Sequence, residues 1–205
     1  MLDPISFVFS IAVLIMSVVI HELSHGYAAE TLGDPTARIA GRLTVNPLKH
    51  LDMVGSFIVP VATYLLGGFI LGWAKPVPYN PYNLSGGRWG PALVAAAGPF
   101  ANIILAVIFS VILRVFGGSF DPAVAGLVSL IVLINLVLAV FNIVPVPPLD
   151  GSKILFAALP IKWRGLEIFL ERNWLLFVVL LILFLWEFIV PLVFFLFRLL
   201  TGVGV

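Results

Sequence analysis

No cysteine occurs among the 205 residues. That excludes disulfides, thiolate metal sites and a cysteine nucleophile. Charge is nearly as scarce. Eleven Lys and Arg and ten Asp and Glu make up 10% of the chain, against about 25% in an average soluble domain. So few charges cannot cover the surface of a soluble fold of this length. The net charge of +1 offers nothing to attract nucleic acid. Met1-Leu2-Asp3-Pro4 holds no basic residue, so the first apolar run lacks the n-region of a secretory signal and reads as a retained span. Internal repeats and low-complexity tracts are absent as well.

What fills the chain is apolar sequence, 61% hydrophobic residues at a mean hydropathy of +1.18. Several runs are long enough for a hydrocarbon core, which predicts an all-α polytopic membrane protein forming one compact bundle. The first helix is expected over 4–32, opening at Pro4 and stopped by Gly33-Asp34-Pro35. Residues 38–45 read as a short hairpin or edge strand. A second apolar run covers 53–73 and carries Pro60 and Gly67-Gly68, and a proline-dense loop follows at 74–81. Further runs cover 91–116, 123–144 and 174–200. Residues 161–172 mix Trp163, Leu166, Phe169 and Leu170 with five charges and read as an amphipathic helix at the membrane surface. Glu187, in the last run, is expected to pair with Arg198 or to face the bundle.

Lys and Arg favour the cytoplasmic side of a membrane. If all five long runs span, one side holds five basic residues and the other six, which is no bias. If 53–73 enters and leaves on one side, Arg38, Arg42, Lys49, Lys75, Arg88, Lys153, Lys162, Arg164 and Arg172 share that side. Only Arg114 and Arg198 face the other. The second arrangement is favoured: a re-entrant 53–73, an external N-terminus and a cytosolic end to the first helix. A bend there needs protein to cover the freed backbone groups. A plain fifth span is the alternative.

At that cytosolic end stands His21-Glu22-Leu23-Ser24-His25. Residues four apart share a helix face, so both imidazoles can aim a nitrogen at one point. This is the H-E-x-x-H arrangement, in which two histidines bind zinc and the glutamate serves as general base. The other reading is a set of buried structural polar groups. Depth argues against it: seventeen residues separate Pro4 from His21, about 25 Å of helix inside a core about 30 Å thick. Ionisable groups there cost roughly 2.5–3.5 kcal/mol each and mark function. A catalytic zinc takes three protein ligands and leaves a position open. The candidates for the third are Asp150, His50, Asp52, Glu30 and Asp34. Asp150 stands out, because it follows an apolar run and a proline-broken stretch, and a carboxylate at membrane depth needs a partner. His50, in a polar loop, suits a supporting role better.

Three motifs then resemble one family. Residues 19–25 (VIHELSH), 96–102 (AAGPFAN) and 141–151 (FNIVPVPPLDG) are similar, in this order, to the motifs of the site-2 proteases, which are intramembrane zinc metalloproteases. Residues 41–50 and 72–78 resemble a small branch of that family, one without a PDZ domain or nucleotide-binding tail. The resemblance implies Zn2+ held by His21, His25 and Asp150, with Glu22 as base. It implies a single membrane-embedded peptidase domain over 1–205, with a catalytic core at about 4–32, 91–116 and 123–160 and a last span at about 174–200. Part of 36–75 would be the family's membrane-embedded hairpin, suited to holding an extended substrate. Asn102 and Asn142 correspond to asparagines expected to position substrate or an oxyanion, a role amide donors can fill; the other reading of each is a helix–helix hydrogen bond. The implied partners are transmembrane protein substrates and the lipid bilayer of the cell membrane, with no nucleic acid. A metal-ion transporter and an inactive scaffold are the rival classes.

Overall fold

The computed structural model describes residues 4–52, 54–58, 65, 74–181, 183 and 186–203. The described residues form eight α-helices and no strand. They are α1 (Pro4–Thr31), α2 (Thr36–Ile39), α3 (Gly90–Phe116), α4 (Pro122–Ile143), α5 (Asp150–Ala158), α6 (Arg164–Arg172), α7 (Trp174–Leu180) and α8 (Trp186–Thr201). Among the described residues, three stretches are long and apolar enough to cross a membrane: Phe7–Thr31, Gly87–Ser119 and Pro122–Ile143. The protein is an all-α polytopic membrane protein. The re-entrant reading of 53–73 falls outside the described residues except at 54–58 and 65.

The helix ends follow local chemistry. Gly33, at φ +104°, closes α1, and the Asp34 N–H turns back to the Ala29 carbonyl at 2.9 Å. The Asp34 carboxylate is fully buried. It accepts from the Thr36 hydroxyl, the Asn80 N–H and the Asn83 amide at 2.6, 2.6 and 2.8 Å. Burial pushes its carboxyl up, but those bonds outweigh burial and hold it below its ordinary range. The same bonds explain why 38–45 is not the expected hairpin. Asp34 and Pro35 set a turn that starts α2, and the Arg42 N–H bonds the Ala37 carbonyl at 3.0 Å, which leaves no ladder. Pro91 stands in the first turn of α3. Asp121 caps α4 by accepting from the Ala123 N–H at 2.9 Å.

α3 is the centre of the bundle, packed by α1, α4, α5 and α8. Its second half, with α4 and α8, builds an aliphatic cluster of Ala106, Leu113, Val132, Leu136, Ile189, Val193 and Phe197. Its first half lies against the end of α1 and the start of α5. The expected amphipathic segment forms a turn at Ile161–Trp163 and then α6, with Trp163, Ile168 and Phe169 exposed. Glu187 is exposed on α8 and so does not face the bundle. Eleven residues from Arg198, about 16 Å along one helix, it is also too far away to pair with it.

Candidate metal centre

The H-E-x-x-H spacing brings the two rings together as α-helical geometry requires. His21 and His25 meet edge to face with centroids 4.6 Å apart. Asp150 enters from the other end of the chain. Its Oδ2 lies 3.0 Å from His21 Nε2 and 3.3 Å from His25 Nε2, and ligand atoms of all three residues lie within 4.8 Å of one another. Gly151 makes that approach possible. A Cβ there would collide with the Ile143 carbonyl and crowd that of Val144, so the first turn of α5 sits directly on the end of α4.

Which ring atoms are free can be deduced from the partners. His25 Nδ1 is 2.7 Å from the Val94 carbonyl, and a carbonyl only accepts. His21 Nδ1 is 2.6 Å from Asn102 Oδ1. Each histidine therefore carries a proton on Nδ1 and turns Nε2 towards Asp150. Two imidazole nitrogens and a carboxylate oxygen converge on one point, and with both rings neutral they offer three donors to a cation. Tetrahedral zinc, with bonds of about 2.0–2.1 Å, would hold its donors roughly 3.3 Å apart, close to the observed spacing. The donor set is one that zinc accepts, and hydrogen-bonded outer nitrogens are the usual support of metal-binding imidazoles. The residues fit the ion.

α3 presses directly on the rings. A Cβ at Gly98 would lie 2.5 Å from His25 Cε1 and Nε2 and 2.6 Å from His21 Nε2. Only glycine leaves both histidines in place. One helical turn on, Asn102 is fully buried and committed. Its oxygen accepts from His21, and its nitrogen donates to Asn135 Oδ1 at 2.9 Å and to the Ser17 carbonyl at 3.3 Å. Asn142 is half-buried, and its nitrogen donates to the Leu138 carbonyl at 2.9 Å.

Glu22 is held from outside the helix. The Val77 N–H donates to its Oε2 at 2.8 Å. Val77 lies between Pro76 and Pro78 in an extended segment that Arg42 fastens by donating to the carbonyls of Lys75 at 2.6 Å and Pro76 at 3.3 Å. The Lys75 N–H in turn donates to the His50 carbonyl at 2.8 Å. Gly26 admits this loop, since a Cβ there would press on Leu43 at 2.5 Å and Val77 at 2.9 Å.

The other candidates for a third ligand are engaged elsewhere. Glu30 pairs with Arg38 through both oxygens. Asp34 ties the loop beyond α1. Asp52 accepts from the N–H groups of Val54 and Gly55 at 3.0 and 2.7 Å. His50 is buried and donates from Nε2 to the Thr44 carbonyl at 2.9 Å. Sequence alone did not single out Ser17, Arg42, Val77 or Asn135. Ser17 and Asn135 had a signal, being polar residues inside apolar runs. Arg42 and the N–H of Val77 had none, because their partners are distant in sequence.

The model of "Peptidase family M50" matches residues 9–121 and 115–185. "Putative zinc metalloprotease YwhC" of Bacillus subtilis is 41% identical over 154 residues, covering 72% of this chain and 67% of the relative. "Putative zinc metalloprotease Rip2" of Mycolicibacterium smegmatis is 33% identical over 180 residues, 86% of this chain and 67% of the relative. "Putative zinc metalloprotease MJ0611" of Methanocaldococcus jannaschii is 32% identical over 166 residues, 76% and 74%. No solved structure gives a significant match. The chain belongs to peptidase family M50, the site-2 proteases. It is a metallopeptidase by class.

Proposed function

We propose that this protein is a zinc-dependent intramembrane endopeptidase, one membrane-embedded domain that cuts peptide bonds within or near the transmembrane helices of other proteins. His21, His25 and Asp150 hold the metal and Glu22 is the general base. The observation that carries the reading is the pair of Nδ1 bonds, to Asn102 and to Val94, which turns both Nε2 atoms towards Asp150. Bound zinc supplies Lewis-acid polarisation of a carbonyl and acidifies water.

The remaining chemistry belongs to the chain. Glu22 takes the proton of the attacking water and returns it to the leaving amine. The Val77 N–H occupies one oxygen of Glu22 and leaves the other for that proton. Asn102 positions His21. Asn142 would serve a substrate carbonyl or oxyanion only after releasing the Leu138 carbonyl; its partial exposure supports that role. Substrate would come from the bilayer as a helix and be extended at the cut.

The N-terminus lies outside the cell membrane and the metal end of α1 nearer the cytosol. The nine-to-two distribution of basic residues supports this orientation, as does the bond between Lys75 and His50, which ties the two flanks of 53–73 together.

The test is cleavage of a single-span reporter with a helix-weakening residue pair in its span. Wild type should cut and lose activity to a zinc chelator. Glu22→Gln should retain zinc and lower kcat by at least about 100-fold, the lower end of what general-base catalysis contributes. Zinc bound with no cleavage of any reporter by wild type, together with zinc flux across vesicles, would replace the peptidase reading with that of a transporter.

A further inference from the structure

The nitrogen that His21 turns to the metal is chosen by groups outside its ring. We propose that Asn135, in the middle of α4, is a positioning residue for the metal centre. Acting through Asn102, it fixes which nitrogen of His21 carries the proton. The inference rests on reading His21 as a metal ligand.

Donors and acceptors decide the orientation of each amide. Asn135 reaches the Ile131 carbonyl at 2.9 Å and Ser17 Oγ at 3.0 Å. A carbonyl only accepts, so the atom of Asn135 that faces it is the amide nitrogen. Its oxygen must then point the other way, at Asn102, 2.9 Å off. An oxygen there demands a donor. Asn102 therefore presents its nitrogen to Asn135, and its oxygen is left for His21 Nδ1. Turned over, Asn102 would set its oxygen against Asn135 Oδ1 and the Ser17 carbonyl and offer a donor to His21. His21 would then carry its proton on Nε2, the atom aimed at Asp150, where it blocks a metal.

The Ser17 carbonyl also disfavours that state, but at 3.3 Å it is the weaker lock. Asn102 and Asn135 are fully buried and Ser17 nearly so. A wrong orientation in such a low-dielectric place finds no compensating partner. Only a group with a donor at one end and an acceptor at the other serves at 135, and a buried aspartic acid kept neutral by its surroundings has the same polarity as the amide.

The test is zinc affinity of the purified protein in detergent, read by competition with a chelating dye. Asn135→Leu is measured alone and together with Asn102→Asp. Next to the imidazole, unlike at 135, the carboxyl introduced by Asn102→Asp is ionised as in carboxylate–histidine–metal arrangements and presents an acceptor to His21 in either orientation, so residue 135 has nothing left to decide. Asn135→Leu alone should weaken zinc binding by about 10–100-fold, as loss of an outer-shell partner does. Added to Asn102→Asp, it should cost less than about threefold, the difference being the coupling. Asn135→Asp should stay within about threefold of wild type by the same polarity argument. Asn135→Ala runs in parallel in case leucine does not fit, and its coupling to residue 102 is read in the same way.

Unchanged affinity in Asn135→Leu, or equal losses with and without Asn102→Asp, would overturn the proposal; the second result would mean that residue 135 acts by packing. Asp150→Asn is the separate control. If it leaves zinc binding intact, the metal-centre reading fails, and Asn135 loses its role with it.

Discussion

The two halves of α3 do different work with different residues. The first half buries Gly90, Ala92, Val94, Ala95, Gly98, Pro99 and Asn102. Most are small, one is an amide, and they meet the two histidines, the Ser17 and Ser85 carbonyls and a small apolar cluster with Ala29 and Leu84. The second half buries Ala106, Ser110 and Leu113 against the aliphatic side chains of α4 and α8. In water, the second half would be the stability core. In lipid, the hydrocarbon outside is as apolar as the cluster, so burial alone gives little drive and close packing with hydrogen bonds takes over. The first half is therefore the more specified part of the helix. Gly98 and Asn102 there accept one residue type, whereas the second half mainly requires a matching volume.

Substitutions that exchange the character of the halves test this contrast. The largest effect is expected from Gly98→Ala, a single methyl group placed against both imidazoles. Zinc affinity should fall by at least about 100-fold, the upper end of losses seen when ligand support is removed, and peptidase activity should fall with it. Dye competition and cleavage of the reporter check this. A variant that binds zinc normally would mean that α3 can retreat from the rings.

Phe197→Ala in the aliphatic cluster should lower stability by about 1–3 kcal/mol, less than the usual aqueous figure because the transfer component shrinks in lipid. Zinc affinity should stay within about twofold if the two sites are independent. Unfolding in mixed micelles with rising dodecyl sulfate reads the first quantity. A parallel loss of zinc would show that the halves are not separable.

The smallest effect is expected at Ser110, whose buried hydroxyl has no hydrogen-bond partner among the described residues. Ser110→Ala should be neutral or stabilise by up to about 1 kcal/mol, since removing an unpaired polar group relieves its desolvation. A destabilisation beyond that would reveal a partner, and the second half would be less purely aliphatic than its packing indicates.

Much of this was legible in the sequence because it depends on neighbours along the chain. The expected helices 4–32 and 91–116 differ from α1 and α3 by one residue at one end, and 123–144 from α4 by one residue at each end, since proline, glycine and aspartate mark most of those ends locally. The i, i+4 histidines needed only helix geometry, and Asp150 needed only its place after a broken apolar run. What was not legible depends on remote contacts. Residues 38–45 have strand-like alternation, but Asp34 draws them into a turn by reaching residues 80 and 83. The segment that holds Glu22 is loop by composition, and its function lies in one N–H that points at α1. Asn102 could be read as a substrate contact or a helix contact. Its partners, His21 on α1 and Asn135 on α4, are known only when three helices are brought together. The segment 53–73 lies outside the described residues, apart from 54–58 and 65.

Gly98 and Asn102 lie on one face of α3, a turn apart, and each fits a single feature of α1. Together they act as a two-pin gauge for sliding. A displacement of α3 along α1 by about 1.5 Å, the rise of one residue, would move the gap at Gly98 off the rings and take the amide of Asn102 away from His21. The two helices thus have one permitted register. Any bilayer thickness or incoming helix that shifts α3 by so small a step would disassemble the centre without unfolding a turn.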